Sequence, residues 1–257
     1  MEFISVTTDG PVRTVTMNRP GKRNAVHGPM ARELRQAFLE FEADESCRVA
    51  VLTGAGGHFC AGADLGAISD PSLGNELRRD GGGAGPMGPS RLALAKPVIA
   101  AVDGYAVAGG LELALFADLR VAAEDAIFGV FCRRWGVPLI DGGTVRLPRV
   151  VGMGRALDMI LTGRPVGAEE ALAMGLANRI APAGASLGVA QELAHQIAAF
   201  PQQCMLTDRS SAYAQWDLAL DEALRREGER GAPMVAAEGR AGAQRFTEGS
   251  GRHGDFT

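Results

Sequence analysis

With 257 residues, 46% hydrophobic and 22% charged, the chain has the composition of an ordinary soluble protein with one substantial core, which excludes disorder of the whole. A formal net charge of −4, with both signs mixed along the sequence, provides no long basic face and argues against a nucleic-acid or anionic-membrane partner. No apolar stretch reaches the about 20 residues that a bilayer span needs, since even PVIAAVDGYAVAGGLELALFADL is broken by Asp103, Glu112 and Asp118.

The first residues, MEFISVTTDG, are acidic at position 2 and lack a long apolar region, so no signal peptide and a cytoplasmic location are expected. Strand patterns at EFISVTT and VRTVTMN flank Asp9-Gly10-Pro11 as a hairpin. Over PMARELRQAFLEFEAD, Met30, Leu34, Phe38 and Phe41 recur three or four residues apart, the stripe of a buried helix face. A strand RVAVLTG, a Gly-rich turn, a strand PVIAAV, a helix and a strand near LRVAA follow, and strands separated by helices predict an α/β chain. Between Gly66 and Ser90 glycine, proline and charge replace apolar periodicity. That segment reads as a mobile loop with a short helix, either a solvated insertion or a flexible wall over a ligand.

Beyond Val150 the pattern is helical through GRALDMILTG, GAEEALAMG, LGVAQELAHQIAAF, WDLALDEALRREGER and PMVAAEGRAGAQRF. The last of these carry apolar stripes after a completed core, so residues 1–195 are read as the core and 196–257 as a C-terminal helical region that docks on the body or on a neighbouring subunit. Cys47, Cys60, Cys132 and Cys204 show neither CxxC pairing nor a His cluster, and are expected as reduced thiols rather than metal ligands or disulfides.

The segment YAVAGGLELAL (105–115) sets paired glycines and one carboxylate, Glu112, in an otherwise apolar run. An ionised side chain taken out of water is costly unless paired or hydrogen-bonded, and paired glycines begin a helix poorly unless backbone must approach something closely. The run is therefore either badly built core or a built site.

Three stretches, NRPGKRNAV (18–26), GHFCAGADL (57–65) and GYAVAGGLELAL (104–115), taken in this order and spacing, resemble the crotonase superfamily, the enoyl-CoA hydratase/isomerase group of acyl-CoA enzymes. The similarity continues through RLPRVVG, DMILTGRPVGAEEALAMGLANRI and AQRF. The resemblance implies a spiral of ββα units forming two roughly perpendicular sheets, with C-terminal helices that assemble homotrimers or dimers of trimers. It implies an acyl-CoA thioester as substrate, coenzyme A being part of that substrate and no separate cofactor being needed. Two backbone N–H groups stabilise the enolate in this family, and the match places them at Ala63 and Gly109.

The first catalytic glutamate of the hydratases falls at Glu112. There the helix dipole favours the anion while Leu111, Leu113 and Leu115 oppose it by desolvation, so proton exchange near neutral pH is expected. The plainer readings are glycines that only allow close helix–strand packing and a helix N-terminal glutamate that only satisfies backbone donors.

One position departs from the hydratases: FGVFCRRWG (128–136) puts Cys132 where their second glutamate stands, and a neutral thiol anchors water poorly. Asp141, in GVPLIDGGT, resembles the catalytic Asp of the family's dienoyl-CoA isomerases and is also an N-cap candidate for GTVRLPRVV. Arg133 and Arg134 either pair with Asp141 or Glu112 or are solvated surface. Lys22 and Arg23 match a family loop near the CoA moiety, and Ala61, Asp64 and Leu65 the backbone that holds adenine; Ala63, Gly109, Cys132 and Trp135 complete the expected substrate-binding set. Walker and Rossmann patterns are absent, so neither ATP nor NAD is suggested. His58 reads as a polar turn residue rather than a base, His27 and His253 as exposed, and His195 as part of a helical polar/apolar mixture. Addition of water to a 2-enoyl-CoA is the expected activity; the alternatives are enoyl-CoA isomerisation or another enolate reaction, and a non-catalytic acyl-CoA-binding or RNA-binding relative.

Overall fold

A computed structural model describes residues 1–251, so His253 lies outside the described residues. The chain divides after Ala198 into two compact units. The first begins with the expected hairpin: β1 (Ile4–Asp9) runs antiparallel to β2 (Val12–Met17), Ile4 facing Met17, with Gly10 at φ 52 in the turn. Helix α1 (Gly28–Ala43) buries Met30, Leu34, Phe38 and Phe41, as their spacing predicts, and leads to β3 (Val49–Gly54), parallel to β2.

His27 is a correction to the exposed histidine expected there. It is only 4% exposed, its ring meets Phe3 edge-on at 4.5 Å, and its Nδ1 accepts from the Met30 N–H as the N-cap of α1. Burial pulls its pKa below the ordinary value, which suits a neutral ring that accepts a hydrogen bond.

Strands β4 (Val98–Val102), β5 (Tyr105–Val107), β6 (Leu119–Ala123), β7 (Ile127–Gly129), β8 (Val166–Gly167) and β9 (Arg179–Ala181) complete two sheets. One has the order β1-β2-β3-β4-β6-β9 and is parallel apart from its hairpin; the other has the order β5-β7-β8. Strand β4 is buried throughout, as a parallel strand covered on both faces must be. Alternate residues of β3 go to opposite layers: Ala50 and Leu52 join the core that holds Phe38 and Leu111, while Val49 and Val51 pack with Ala190 and Leu193 of α6 (Ser186–Ala199). Between them in sequence lie α2 (Gly109–Phe116), α3 (Gly143–Val151), α4 (Met153–Thr162) and α5 (Ala168–Ala173).

The second unit is helical, with α7 (Gln202–Ala214), α8 (Leu220–Met234), a π-helical turn at Val235–Gly239 and α9 (Arg240–Thr247). Helix α7 escapes sequence reading because QQCMLTDRSSAYA has no apolar stripe and buries no residue. Strands β8 and β9, of two and three residues, are too short to carry a periodic signal and interrupt the helical stretch expected beyond Val150. Cys47, Cys60 and Cys132 are buried free thiols and Cys204 an exposed one. No helix among the described residues is long and apolar enough to cross a membrane.

One buried cation anchors the far end of α2. Arg120 on β6 is 4% exposed, and its guanidinium donates to the carbonyls of Ala117 at 2.8 Å, Ala114 at 3.5 Å and Leu176, and to Asn178 Oδ1 at 3.3 Å. Arg120→Ala leaves these buried acceptors without their donor and is expected to lower stability by about 3 kcal/mol. Urea denaturation of the variant measures that loss.

Candidate active site

The chain enters α2 through Ala108, which has φ 54 and ψ −125, a strained conformation for a residue with a side chain. This turn lays the first residues of the helix against the segment from Cys60 to Ala63. That segment is held by Cys60, which donates to the Tyr105 carbonyl at 2.8 Å and accepts from the Val107 N–H at 3.0 Å. Glycine makes the approach possible: a Cβ on Gly110 would sit 2.0 Å from the Cys60 carbonyl oxygen, and one on Gly62 would sit 3.0 Å from the Gly109 nitrogen. Neither the Ala63 nor the Gly109 N–H donates to another group among the described residues, and both residues line one cavity of about 500 Å³. Two free backbone donors on adjacent segments, one at a helix N-terminus, can stabilise an oxyanion.

Glu112, in the first turn of α2, is 2% exposed and lines the same cavity. Its Oε1 accepts from the N–H groups of Asp141 and Gly143, each at 2.8 Å. The carboxylate thus satisfies two backbone donors at the start of α3, Gly143 being the first residue of that helix, and not donors of its own helix. Burial, reinforced by the charge of Asp141, pushes its pKa up to about 7 against those two hydrogen bonds and Arg146. A group with that pKa takes up and releases protons at neutral pH.

Asp141, 3% exposed, also lines the cavity. Its Oδ1 accepts from the Ser90 hydroxyl and, at 2.9 Å, from the Met87 N–H. It is not the N-cap of α3: Gly142 holds that place and no side chain caps the helix, because the Asp141 carboxylate is turned toward residues 87–90. Burial raises the pKa of Asp141, while the Ser90 and Met87 hydrogen bonds and the charges of Arg91 and Arg146 oppose the rise. Cys132 lines the cavity within the 3-10 helix Phe131–Trp135, and burial together with the charge of Glu112 pushes its thiol up, so it is neutral.

Arg133 and Arg134 pair with neither carboxylate. Their guanidinium groups donate to the carbonyls of Ile160 and Gly163 at the end of α4, each at 3.1 Å, and Arg134 lies over the Phe131 ring at 4.4 Å. Arg91 and Arg146, which no sequence pattern singled out, are the cations that act on Asp141.

Of the remaining expected binding residues, Arg23, Ala61, Leu65 and Trp135 line the cavity. Lys22 and Asp64 do not; Lys22 is exposed, and Asp64 is held by Arg19 at 3.0 Å and by the Gly66 N–H at 3.1 Å. The segment from Gly66 to Ser90 forms no α-helix, only a 3-10 turn over Leu65–Ala67 at its start. It supplies Ile68, Asn75, Leu77, Pro86 and Met87 to the cavity, so it is a wall and not a solvated insertion. The one legible hint is an apolar Met87 framed by glycines at 85 and 88. His58 does not line the cavity and lies 5.3 Å from the Tyr105 ring, and His195 pairs with Asp9 at 3.1 Å.

Residues 7–253 match the family described as Enoyl-CoA hydratase/isomerase. The chain belongs to this family. It is 42% identical over 197 residues to the enoyl-CoA hydratase EchA19 of Mycobacterium tuberculosis, covering 74% of this chain and 72% of that protein. It is 40% identical over 198 residues to the carnitinyl-CoA dehydratase of Escherichia coli K12, covering 76% and 74%. Among solved structures, the enoyl-CoA hydratase EchA1 from Mycobacterium marinum matches with a TM-score of 0.88 at 34% identity over 96% of both chains. An enoyl-CoA hydratase from Bacillus anthracis matches with a TM-score of 0.85 at 30% identity, again over 96% of both. The two sheets and the C-terminal helical region are thus the crotonase fold, and this member of the enoyl-CoA hydratase/isomerase family is an enzyme of the crotonase superfamily.

Proposed function

We propose that the enzyme adds water to a 2-enoyl-CoA thioester. The observation that carries this reading is Glu112, poised near pH 7 in a cavity that also holds the free N–H groups of Ala63 and Gly109 and a second buried carboxylate, Asp141. Water attacks C3 as Glu112 takes its proton; the electron pair of the double bond moves onto the thioester oxygen, where the two N–H groups stabilise it, and C2 then receives a proton from Glu112. Asp141 orients the water, the task that the neutral Cys132 performs poorly. Dehydration of a 3-hydroxyacyl-CoA is the same path reversed, in keeping with a relative named carnitinyl-CoA dehydratase. Arg23, Ala61 and Leu65 receive the CoA portion, and no separate cofactor enters the scheme. A cytoplasmic enzyme assembled as a homotrimer or dimer of trimers belongs to the same reading. Incubation with crotonyl-CoA and longer 2-enoyl-CoAs, followed by loss of the conjugated thioester absorbance, tests it; absence of 3-hydroxyacyl-CoA across the panel overturns it.

A second reading rests on Cys132. Moving a double bond between C3 and C2 needs one proton shuttle and an oxyanion hole but no positioned water, so conversion of a 3-enoyl-CoA to its 2-enoyl isomer without hydration favours isomerisation. A variant separates the roles. Cys132→Glu adds a third carboxylate beside Glu112 and Asp141 and is expected to raise the Glu112 pKa further, lowering hydration at pH 7 by roughly tenfold. A pH–rate profile reads the change. A faster variant shows that Asp141 does not hold the water.

A further inference from the structure

The carboxylate of Asp141 is served asymmetrically. Oδ1 takes both the Ser90 hydroxyl and the Met87 N–H, whereas Oδ2 takes no hydrogen bond among the described residues, and Asp141 lines the cavity. Ser90 itself is fully buried and does not line the cavity. The loop that brings it there is built for the purpose. A Cβ on Gly85 would lie 2.1 Å from Ser90 Oγ and 2.9 Å from Asp141 Oδ1, and one on Gly88 would lie 2.4 Å from the Ala31 carbonyl oxygen. Both glycines have positive φ, 102 and 97. The Arg91 N–H closes the loop on the Ala84 carbonyl at 2.8 Å, and the Arg91 guanidinium donates to the carbonyls of Ile140 and Gly81. The loop is thus tied both to the carboxylate of residue 141 and to the carbonyl just before it.

We propose that Ser90 is a positioning residue for the reaction: its hydroxyl commits one oxygen of Asp141 to the loop, so that the other faces the cavity in a single orientation. The proposal rests on the hydration reading only in taking Asp141 to serve the reacting water. Charged groups that act on Asp141 or feel its charge are Glu112 from α2, Arg146 from α3 and Arg91 from the loop, and the titratable Cys132 of the 3-10 turn lines the same cavity. None of them supplies a side-chain hydrogen bond to Oδ1, so Ser90 is the only hydroxyl donor to this carboxylate among the described residues. A hydrogen bond to the ionised form favours it, and its removal moves the titration upward.

Ser90→Ala is expected to lower kcat roughly tenfold or more, to leave KM within about twofold because Ser90 does not touch the cavity, and to move the acidic limb of the rate profile to higher pH. In an Asp141→Asn background the same substitution is expected to change kcat by less than about twofold, since the residue through which Ser90 acts is already disabled. A carbon-13 NMR titration of labelled aspartates, with Asp141 assigned by its loss in Asp141→Asn, is expected to show a higher Asp141 pKa in Ser90→Ala than in wild type. An equal loss of kcat in both backgrounds, or an unmoved Asp141 titration, overturns the proposal and leaves Ser90 a packing residue. The titration separates the two ideas: a wild type inert toward every enoyl-CoA with an Asp141 pKa that still depends on Ser90 defeats the hydration reading, whereas an active enzyme with neither readout moved defeats this one.

Discussion

Glu112→Gln is expected to lower kcat for hydration by about 10²–10⁴-fold and, at the same time, to make the protein more stable above pH 7. Loss of rate follows because an amide neither takes nor gives the proton. The gain in stability follows from the direction in which the fold moves the pKa. Glu112 is raised from its ordinary 4.5 to about 7, so the stability its protonated form contributes is fully present below about 4.5 and is lost as pH rises through about 7. Above that point the fold carries a desolvated carboxylate beside Asp141, whereas glutamine keeps an oxygen to accept from Asp141 and Gly143 without the charge. A tenfold change in an ionisation equilibrium corresponds to about 1.4 kcal/mol, so the difference at pH 8 is on the order of 3 kcal/mol and shrinks to nothing toward pH 4.5. Thermal melts of both proteins across this range measure it. A variant with the wild-type melting curve at every pH would mean that Glu112 is not ionised against a penalty, and an active variant would remove it from the mechanism.

Gly110→Ala is expected to have the next largest effect. The added methyl would meet the Cys60 carbonyl oxygen at 2.0 Å and cannot be accommodated by a side-chain adjustment, because the obstacle is backbone held on both sides by β5. The N-terminus of α2 must retreat, carrying the Gly109 N–H away from that of Ala63. Loss of one oxyanion donor lowers kcat by about 10²–10³-fold, and overpacking of this kind lowers stability by about 1–3 kcal/mol. Its neighbour provides the control. A Cβ on Gly109 meets the Met87 thioether at 2.8 Å, the flexible end of a side chain, so Gly109→Ala is expected to be milder in both rate and melting temperature. If Gly110→Ala turns over as fast as Gly109→Ala, the close contact between the two segments does not govern catalysis.

Much of this architecture is a local property of the chain. The stripe of Met30, Leu34, Phe38 and Phe41 suffices to define α1, and the unbroken apolar run at Val98–Val102 defines a strand covered on both faces, because burial must follow the period of the backbone. A lone carboxylate in the apolar run from Tyr105 to Leu115 marks a site for the same kind of reason: burial of a charge needs partners, and the fold supplies them. What those partners are is not local. The Asp141 and Gly143 N–H groups lie 29 and 31 residues from Glu112, and Ser90 lies 51 residues from Asp141. Arg133 and Arg134 stand beside Cys132 in sequence yet turn to α4, while Arg91 reaches the site from a loop whose glycines signal irregularity and say nothing of where the loop is tied. His27 followed the same rule: its polarity suggested solvent, and only the packing of Phe3 against it and the open N-terminus of α1 buried it as a cap. Periodicity and the cost of burying charge act along the chain, so the α/β class, the principal strands and helices and the out-of-place charge at Glu112 are legible in the residues alone. Which groups face that charge, and which loop bonds Asp141, depend on the folded molecule, because hydrogen bonds across tens of residues exist only once the backbone has brought their ends together.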